Sequence, residues 1–206
     1  MGTRNITVVI KDNKVRVSQY GQWDGYYTWT GRNVLQFCRE NLRNKRLREV
    51  FSEKIDFCKQ VSAEFDKQID NTVEKFGRQN GKEFVIPFNQ LFPQMSRDTG
   101  WKILEIIKDL DMYNFDKDEN KVPRQYYPIH LCFQCDFGIE YVNIIDLDTD
   151  TVYMLTSHPF EKEALDTTEL IDTTYSGQYC YLKFKLGKIP SKKKVDAMAK
   201  ELGLLY

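Results

Sequence analysis

Two short stretches of this sequence carry residue types that bind metal ions. HLCFQC places His130, Cys132 and Cys135 close together, as in part of a zinc site. On a strand, residues three apart point to opposite faces, and no second cysteine or histidine pair has ligand spacing. DLDTDTVYMLTS alternates carboxylates from Asp146, but threonine and serine stand where a calcium loop needs glycine and glutamate. We therefore expect no metal and no cofactor.

Nucleophilic catalysis has one candidate near the beginning of the chain. Hydrolases with an N-terminal nucleophile use their own α-amine as the base, so they need no histidine. Thr3 could take this role at the edge of a predicted strand, with Arg4 and Asp24 as the accompanying charged groups. Removal of the first methionine alone would expose glycine instead, and neither histidine lies in a nucleophile motif. We favour a protein that is not an enzyme and keep this hydrolase as the alternative interpretation.

The densest positive charge lies in RENLRNKRLRE, and a second group of lysines, residues 192–194, lies near the end of the chain. Along a helix such cations would contact the phosphates of a nucleic acid, although they are more often a solvated helix face. Nucleic-acid binding is therefore a second alternative. Its candidate residues are Arg39, Arg43, Lys45, Arg46 and Arg48.

Residues 19–31, QYGQWDGYYTWTG, combine five aromatic residues, three glycines and one carboxylate. We interpret the first half as a strand end, with Trp23 directed into the core and Gly25 in a turn. Tyr26, Tyr27 and Trp29 follow, and we expect them to be exposed contact residues. Aromatic side chains supply much of the binding energy at protein interfaces.

The elements that must position these residues begin with a hairpin. NITVVIKDNKVRVSQYGQW predicts two strands that reverse at Asp12 and Asn13. Apolar periodicity then predicts a helix over residues 34–42 and a second over 46–76, either continuous or broken midway. Further along, PQMSRDTGW predicts the beginning of another helix, capped by Ser96.

Later segments are rich in β-forming residues. YPIHLCFQCDF, IEYVNIIDLD, TVYMLTSH and GQYCYLKFKLG predict strands, and SKKKVDAMAKEL predicts a closing helix. The expected fold is α+β: an antiparallel sheet built from the N-terminal hairpin and the C-terminal strands, with a mid-chain helical layer. We expect one domain, residues 1–206, with a helical segment over about 32–112 between the strands.

Composition limits the classes of partner. The 206 residues contain thirty basic and thirty acidic side chains, so no overall field attracts nucleic acid or an anionic membrane. No apolar run approaches the roughly 18 residues of a membrane-spanning helix, and no signal peptide begins the chain. Five cysteines, widely spread, indicate reduced thiols. We expect a cytoplasmic protein without a membrane partner, and the oligomeric state is not predicted.

Four stretches in order resemble a family of uncharacterised proteins found in phages, prophages, bacteria and fungi. They are GTRNITVVIKDNKVRVSQYGQWDGY, FPQMSRDTGWKILEII, CDFGIEYVNIIDLDTDTVYML and FKLGKIPS. The family has no activity to transfer. Its usual pattern follows Asp-Gly-Tyr with proline and a glycine-rich segment, where this chain has Tyr27 and Trp29.

The resemblance implies a role in the contest between a virus and its host. We therefore expect a phage or mobile-element protein that binds a protein or ribonucleoprotein, for example as an anti-CRISPR-like inhibitor of a host defence nuclease. The shared motifs also predict that several residues converge at one end of the sheet, where Arg97 would form an ion pair with Asp24. These residues are Thr3, Arg4, Gln22, Trp23, Asp24, Arg97 and Asp98.

Overall fold

A computed structural model describes residues 2–60, 96–110, 112, 138–157 and 179–204. Its centre is a five-stranded sheet with the order β2-β1-β3-β4-β5. The strands are β1 (Asn5–Lys11), β2 (Lys14–Gly21), β3 (Tyr141–Asp146), β4 (Thr151–Thr156) and β5 (Tyr179–Lys185). The described part also contains four α-helices: α1 (Arg32–Asn41), α2 (Lys45–Gln60), α3 (Ile103–Lys108) and α4 (Lys192–Glu201).

The predicted N-terminal hairpin is confirmed. β1 and β2 pair antiparallel, and Asp12 and Asn13 between them have φ values of 55° and 53°. Two-residue hairpin loops with positive φ at both positions follow the twist of the strands, and Asp and Asn adopt this conformation more readily than most residues. The local sequence therefore specifies this turn.

The α+β class is confirmed, but the sheet is mixed rather than wholly antiparallel as expected. β1 pairs with β3 in parallel, with Asn5 opposite Tyr141, whereas β3, β4 and β5 pair antiparallel in succession. A parallel neighbour requires a crossover connection, and here the long segment between β2 and β3 supplies it. Strands from both ends of the chain thus share one open sheet.

Helices pack on one face of this sheet. The predicted apolar face of α1 is confirmed, because Val34, Leu35 and Cys38 are buried in the same cluster as Val9 of β1 and Ile145 of β3. A second cluster lies on the opposite face of the sheet, so both faces are buried. Its fully buried members include Ile6, Val8, Val142, Ile144 and Leu155.

The predicted helix after Ser96 is also confirmed, but its predicted cap is wrong, because neither α3 nor the 3₁₀ turn before it has a side-chain hydrogen bond at its N-cap. The Ser96 hydroxyl accepts a hydrogen bond from the backbone N–H of Asp98 at 3.2 Å, and a 3₁₀ turn at Gly100–Lys102 leads into α3. Several sequence-based predictions lie outside the described residues. They are the second helix beyond residue 60, the strand over 127–137, the pair Cys132 and Cys135, and both histidines.

None of the helices in the described part combines the length and the apolar character that crossing a membrane requires.

Candidate functional site

The segment that follows β2 meets two other parts of the chain at one end of the sheet. The backbone N–H of Gln22 donates to the carbonyl of Arg97 at 2.9 Å, and that of Gly25 donates to the carbonyl of Thr3 at 3.1 Å. The Asn5 side-chain amide donates to the Trp23 carbonyl at 3.0 Å. The expected convergence of these segments is therefore confirmed.

Three aromatic side chains of this segment face solvent: Trp23, Tyr26 and Trp29 have exposed fractions of 52%, 44% and 59%. We call these three residues the aromatic surface. The expectation that Trp23 enters the core is wrong. Its ring lies against Gly2, where any side chain would collide with it, so Trp23 covers the chain from outside.

Tyr27 was expected at the surface and is instead 2% exposed. The π-helical turn Tyr27–Gly31 continues directly into α1, so its first residue points toward the core while Trp29, two residues later, points away. The Tyr27 hydroxyl donates to the Asp196 carboxylate of α4 at 3.0 Å, and that carboxylate also accepts from Arg32 at 2.9 Å. Burial first, and then the bond to Asp196, raises the pKa of Tyr27 well above its usual value.

Asp24 shapes the loop through its backbone. It has a φ of 53°, and its carbonyl accepts the Thr30 hydroxyl at 2.6 Å. The expected ion pair between Asp24 and Arg97 is not formed. The Arg97 guanidinium lies 3.8 Å from Asp98, and both of these side chains are exposed. Asp24 adopts the left-handed turn conformation, and its side chain is exposed like that of Asp98.

Thr3 and Arg4 are held beneath and beside the same loop. Thr3 is 4% exposed, and its carbonyl accepts from Gly25, so it lies under the loop rather than at the surface. The backbone of Arg4 bonds with Glu140 and Tyr141 at the beginning of β3. A nucleophile must be accessible to its substrate, so the burial of Thr3 does not support the alternative in which Thr3 acts as the nucleophile of a hydrolase.

The aromatic surface is anchored to the sheet by further tyrosines. The ring centroid of Tyr26 lies 6.0 Å from that of Tyr141, which in turn lies 6.4 Å from that of Tyr181 in an edge-to-face arrangement. Such pairs contribute about 0.5–1.5 kcal/mol beyond simple burial. Burial also raises the pKa of Tyr181. The exposed ring of Tyr26 is thus continuous with rigid aromatic packing inside.

A layer of buried polar side chains lies across three neighbouring strands. Thr7 of β1 stands opposite Gln19 of β2 and Asn143 of β3, and all three are fully buried or nearly so. The Gln19 amide donates to the Ser96 carbonyl at 3.1 Å. Within the described part, the Thr7 hydroxyl, the Gln19 side-chain oxygen and both polar atoms of Asn143 have no hydrogen-bond partner. No alternating pattern in the sequence signals this layer, because the next residues on the same face are Val9, Val17 and Ile145.

The alternating carboxylates that begin at the last residue of β3 bind the chain's own amides. Asp146 accepts the backbone N–H groups of Asp148 and Thr149, and Asp148 accepts those of Asp12 and Asn13 in the N-terminal hairpin. In the residues that the structure describes, no group of three or more histidine, cysteine or acidic side chains is arranged to hold a metal ion. These carboxylates thus join two turns.

The basic run that was predicted on one helix is divided between two. Arg39 lies in α1 and donates to the Pro190 carbonyl at 3.0 Å. Arg48 in α2 pairs with Asp150 at 2.6 Å, and Lys45 lies 3.7 Å from Glu49. Arg43 and Arg46 lie exposed on and beside the turn between these helices.

Comparison with known proteins adds no relative to this description. No family model, no curated protein and no solved structure matches the chain. The resemblance drawn from the four motifs therefore stays a prediction, and the site is interpreted from its own geometry. That geometry offers exposed aromatic rings on a fixed loop, which can bind a partner without any chemical step.

Proposed function

We propose that this protein acts by binding a protein partner through the aromatic surface. One observation carries the proposal. Of the five large hydrophobic side chains that are exposed in the described part, three lie between residues 23 and 29. Tryptophan and tyrosine are the side chains most enriched among residues that dominate binding energy, and single scattered apolar residues would need no explanation.

The loop that carries these rings is fixed before any partner arrives. Backbone bonds join it to Thr3 and Arg97, the Thr30 hydroxyl closes it on itself, and its buried neighbour Tyr27 attaches it to α4. Ordering a loop on association lowers affinity, so a loop that is already ordered retains more of the binding energy of its aromatic contacts. The charged side chains of Asp24, Arg97 and Asp98 supply a polar rim.

The class of partner follows from the resemblance alone. A phage or mobile-element protein with a preformed docking loop fits the role of a stoichiometric inhibitor, and we propose a host defence nuclease, alone or as a ribonucleoprotein, as its target. Tyr27 and Trp29 stand where the resembled family has proline and a glycine-rich segment. The specificity of this chain would therefore lie in residues 26–31.

The test begins with capture of the partner from a host lysate, followed by affinity measurements with purified components. Trp23→Ala, Tyr26→Ala and Trp29→Ala should each weaken binding, and at least one tryptophan variant should lose about 2 kcal/mol or more, roughly thirtyfold in Kd. Val15→Ala is the matched control, because Val15 is similarly exposed but lies on β2 away from the loop. Unchanged affinity in all three aromatic variants would refute the proposal.

A further inference from the structure

A second surface is assembled from two segments that are far apart in the sequence. The Arg39 side chain at one end of the contact bonds the Pro190 carbonyl across 151 sequence positions. Close by, the carbonyl of Arg43 lies against Gly187, where an added Cβ would approach it to 3.2 Å. The turn between α1 and α2 therefore sits directly beside the 3₁₀ turn Leu186–Lys188 and the beginning of α4.

This contact brings together positive charges that the sequence presents as two separate groups. We call the exposed cations of both segments the basic surface. For these side chains the described part of the structure gives no ion pair within 4.0 Å, in contrast to Arg48 and Lys45. The basic surface consists of Arg43, Arg46, Lys188, Lys192, Lys193 and Lys194.

The concentration of charge is unusual for this chain, whose formal net charge is zero. The first turn of α4 contains no acidic residue, although carboxylates are favoured there and cations are not. Mutual repulsion among neighbouring lysines and arginines destabilises the free surface. A bound polyanion would relieve that repulsion and release its own counterions, which favours association.

We infer that the basic surface binds the phosphate backbone of a nucleic acid. Lysine is depleted at protein interfaces, which need an apolar centre, yet four of the six cations are lysines. None of the exposed large hydrophobic side chains in the described part belongs to residues 43–46 or 186–194. A surface of point charges without an apolar centre suits contacts with phosphate, which require no base-specific geometry.

This site is distinct from the aromatic surface and does not depend on the proposed function. Trp29 precedes the first residue of α1, whereas Arg43 follows its last residue. The helix has ten residues, which separates Arg43 from Trp29 by about 15 Å along its axis. The lysines of α4 lie nearer to the loop, since Asp196 of that helix bonds Tyr27, but the two surfaces share no residue. Nucleic-acid binding and protein docking can therefore be abolished separately.

The inference is tested by fluorescence anisotropy with labelled DNA and RNA, each as a duplex and as a single strand, over a range of salt concentrations. Each phosphate contact contributes about 0.9 to the slope of log K against log salt for a duplex. Six contacts predict a slope of about −5 and a loss of affinity of about 10³-fold between roughly 50 and 200 mM salt. The four probes decide which nucleic acid the surface prefers.

Two double variants remove two charges each from opposite segments: Arg43→Gln with Arg46→Gln, and Lys192→Gln with Lys193→Gln. Each should weaken binding and reduce the steepness of the slope by about 2. The matched control is Lys14→Gln with Lys200→Gln, which removes the same charge from exposed positions elsewhere. Thermal unfolding of every variant verifies that it is folded, and the two test variants alter different segments.

Three outcomes would overturn the inference: no binding to any of the four probes at low salt, an equal loss in the control variant, or displacement of the nucleic acid by polyglutamate at equal charge concentration. The last result would assign the surface to an acidic polypeptide. A Trp23→Ala, Trp29→Ala variant should bind nucleic acid normally, so the failure of one proposal leaves the other standing.

Discussion

Replacing Tyr27 by phenylalanine removes one hydroxyl and leaves the buried ring in place. That hydroxyl joins the loop after β2 to α4 through Asp196, over a donor–acceptor distance of 3.0 Å. A hydrogen bond to a charged acceptor contributes about 1.5–3 kcal/mol when its partner is left unpaired. Here the Asp196 carboxylate keeps its bond to Arg32 and is 23% exposed, so water can compensate in part. We therefore expect a loss of about 1–1.5 kcal/mol in the free energy of unfolding.

Urea denaturation at neutral pH, followed by circular dichroism, measures this loss. In a chain of this length a loss of 1 kcal/mol corresponds to about 2–4 °C, so Tm should fall by about 2–6 °C. Tyr26→Phe is the matched control: Tyr26 is an exposed residue, so the loss of its hydroxyl should leave stability within about 0.5 kcal/mol of the parent. In an Asp196→Ala background the cost of Tyr27→Phe should nearly vanish, because the two side chains act as one pair.

A stabilising role of the Tyr27 hydroxyl is refuted if Tyr27→Phe and Tyr26→Phe have equal effects on stability. It is also refuted if the cost of Tyr27→Phe persists in full when Asp196 is alanine. Either result would mean that the hydroxyl of Tyr27 does not hold α4, and that the loop owes its position to other contacts.

Two further predictions concern the interior. Thr7→Val removes a buried, unpartnered hydroxyl but keeps the β-branched shape, so it should raise the free energy of unfolding by about 1 kcal/mol. Urea denaturation measures this change, and a lower free energy of unfolding in the variant would show that the hydroxyl is hydrogen-bonded. Burial raises the pKa of Cys180 to about 11 from 9.0 and that of Tyr181 above 10.0. These two groups should therefore leave stability unchanged below about pH 9 and lower it as pH rises toward 11, by up to about 1.4 kcal/mol per pH unit and group. Cys180→Ser should diminish the part of this loss that is due to the thiol.

Local pattern was sufficient for much of the fold. The turn at Asp12 and Asn13, the buried face of α1 and the helix that follows Ser96 each depend on neighbours within a few residues, and all three were predicted. The parallel pairing of β1 with β3 was not. This pairing depends on which strand, distant in the sequence, lies beside β1 in the sheet. The periodicity of a strand shows which of its faces is buried but not which other strand it pairs with.

In the candidate site, too, some features were predictable from the sequence and others were not. The sequence drew attention to residues 19–31, but it assigned Trp23 to the core and Tyr27 to the surface, the reverse of the structure. A five-residue π-helical turn has neither the period of a strand nor that of an α-helix, so no repeating pattern reveals which ring points inward. The expected bond between Asp24 and Arg97 failed for a related reason, because the backbone conformation of a turn decides where its side chain lies.

The position of β1 between β2 and β3 also has a consequence during synthesis. Arg4 and its partner Glu140 at the beginning of β3 are separated by 136 positions. Ribosomes add about 5–20 residues per second, so the N-terminal hairpin waits on the order of ten seconds for the strand that covers its open edge. During that interval β1 presents unpaired backbone groups and a row of β-branched residues to any other chain. Slowing or pausing translation between β2 and β3 should therefore reduce the yield of soluble protein. This effect would arise only because β1 and its neighbour β3 are far apart in the sequence.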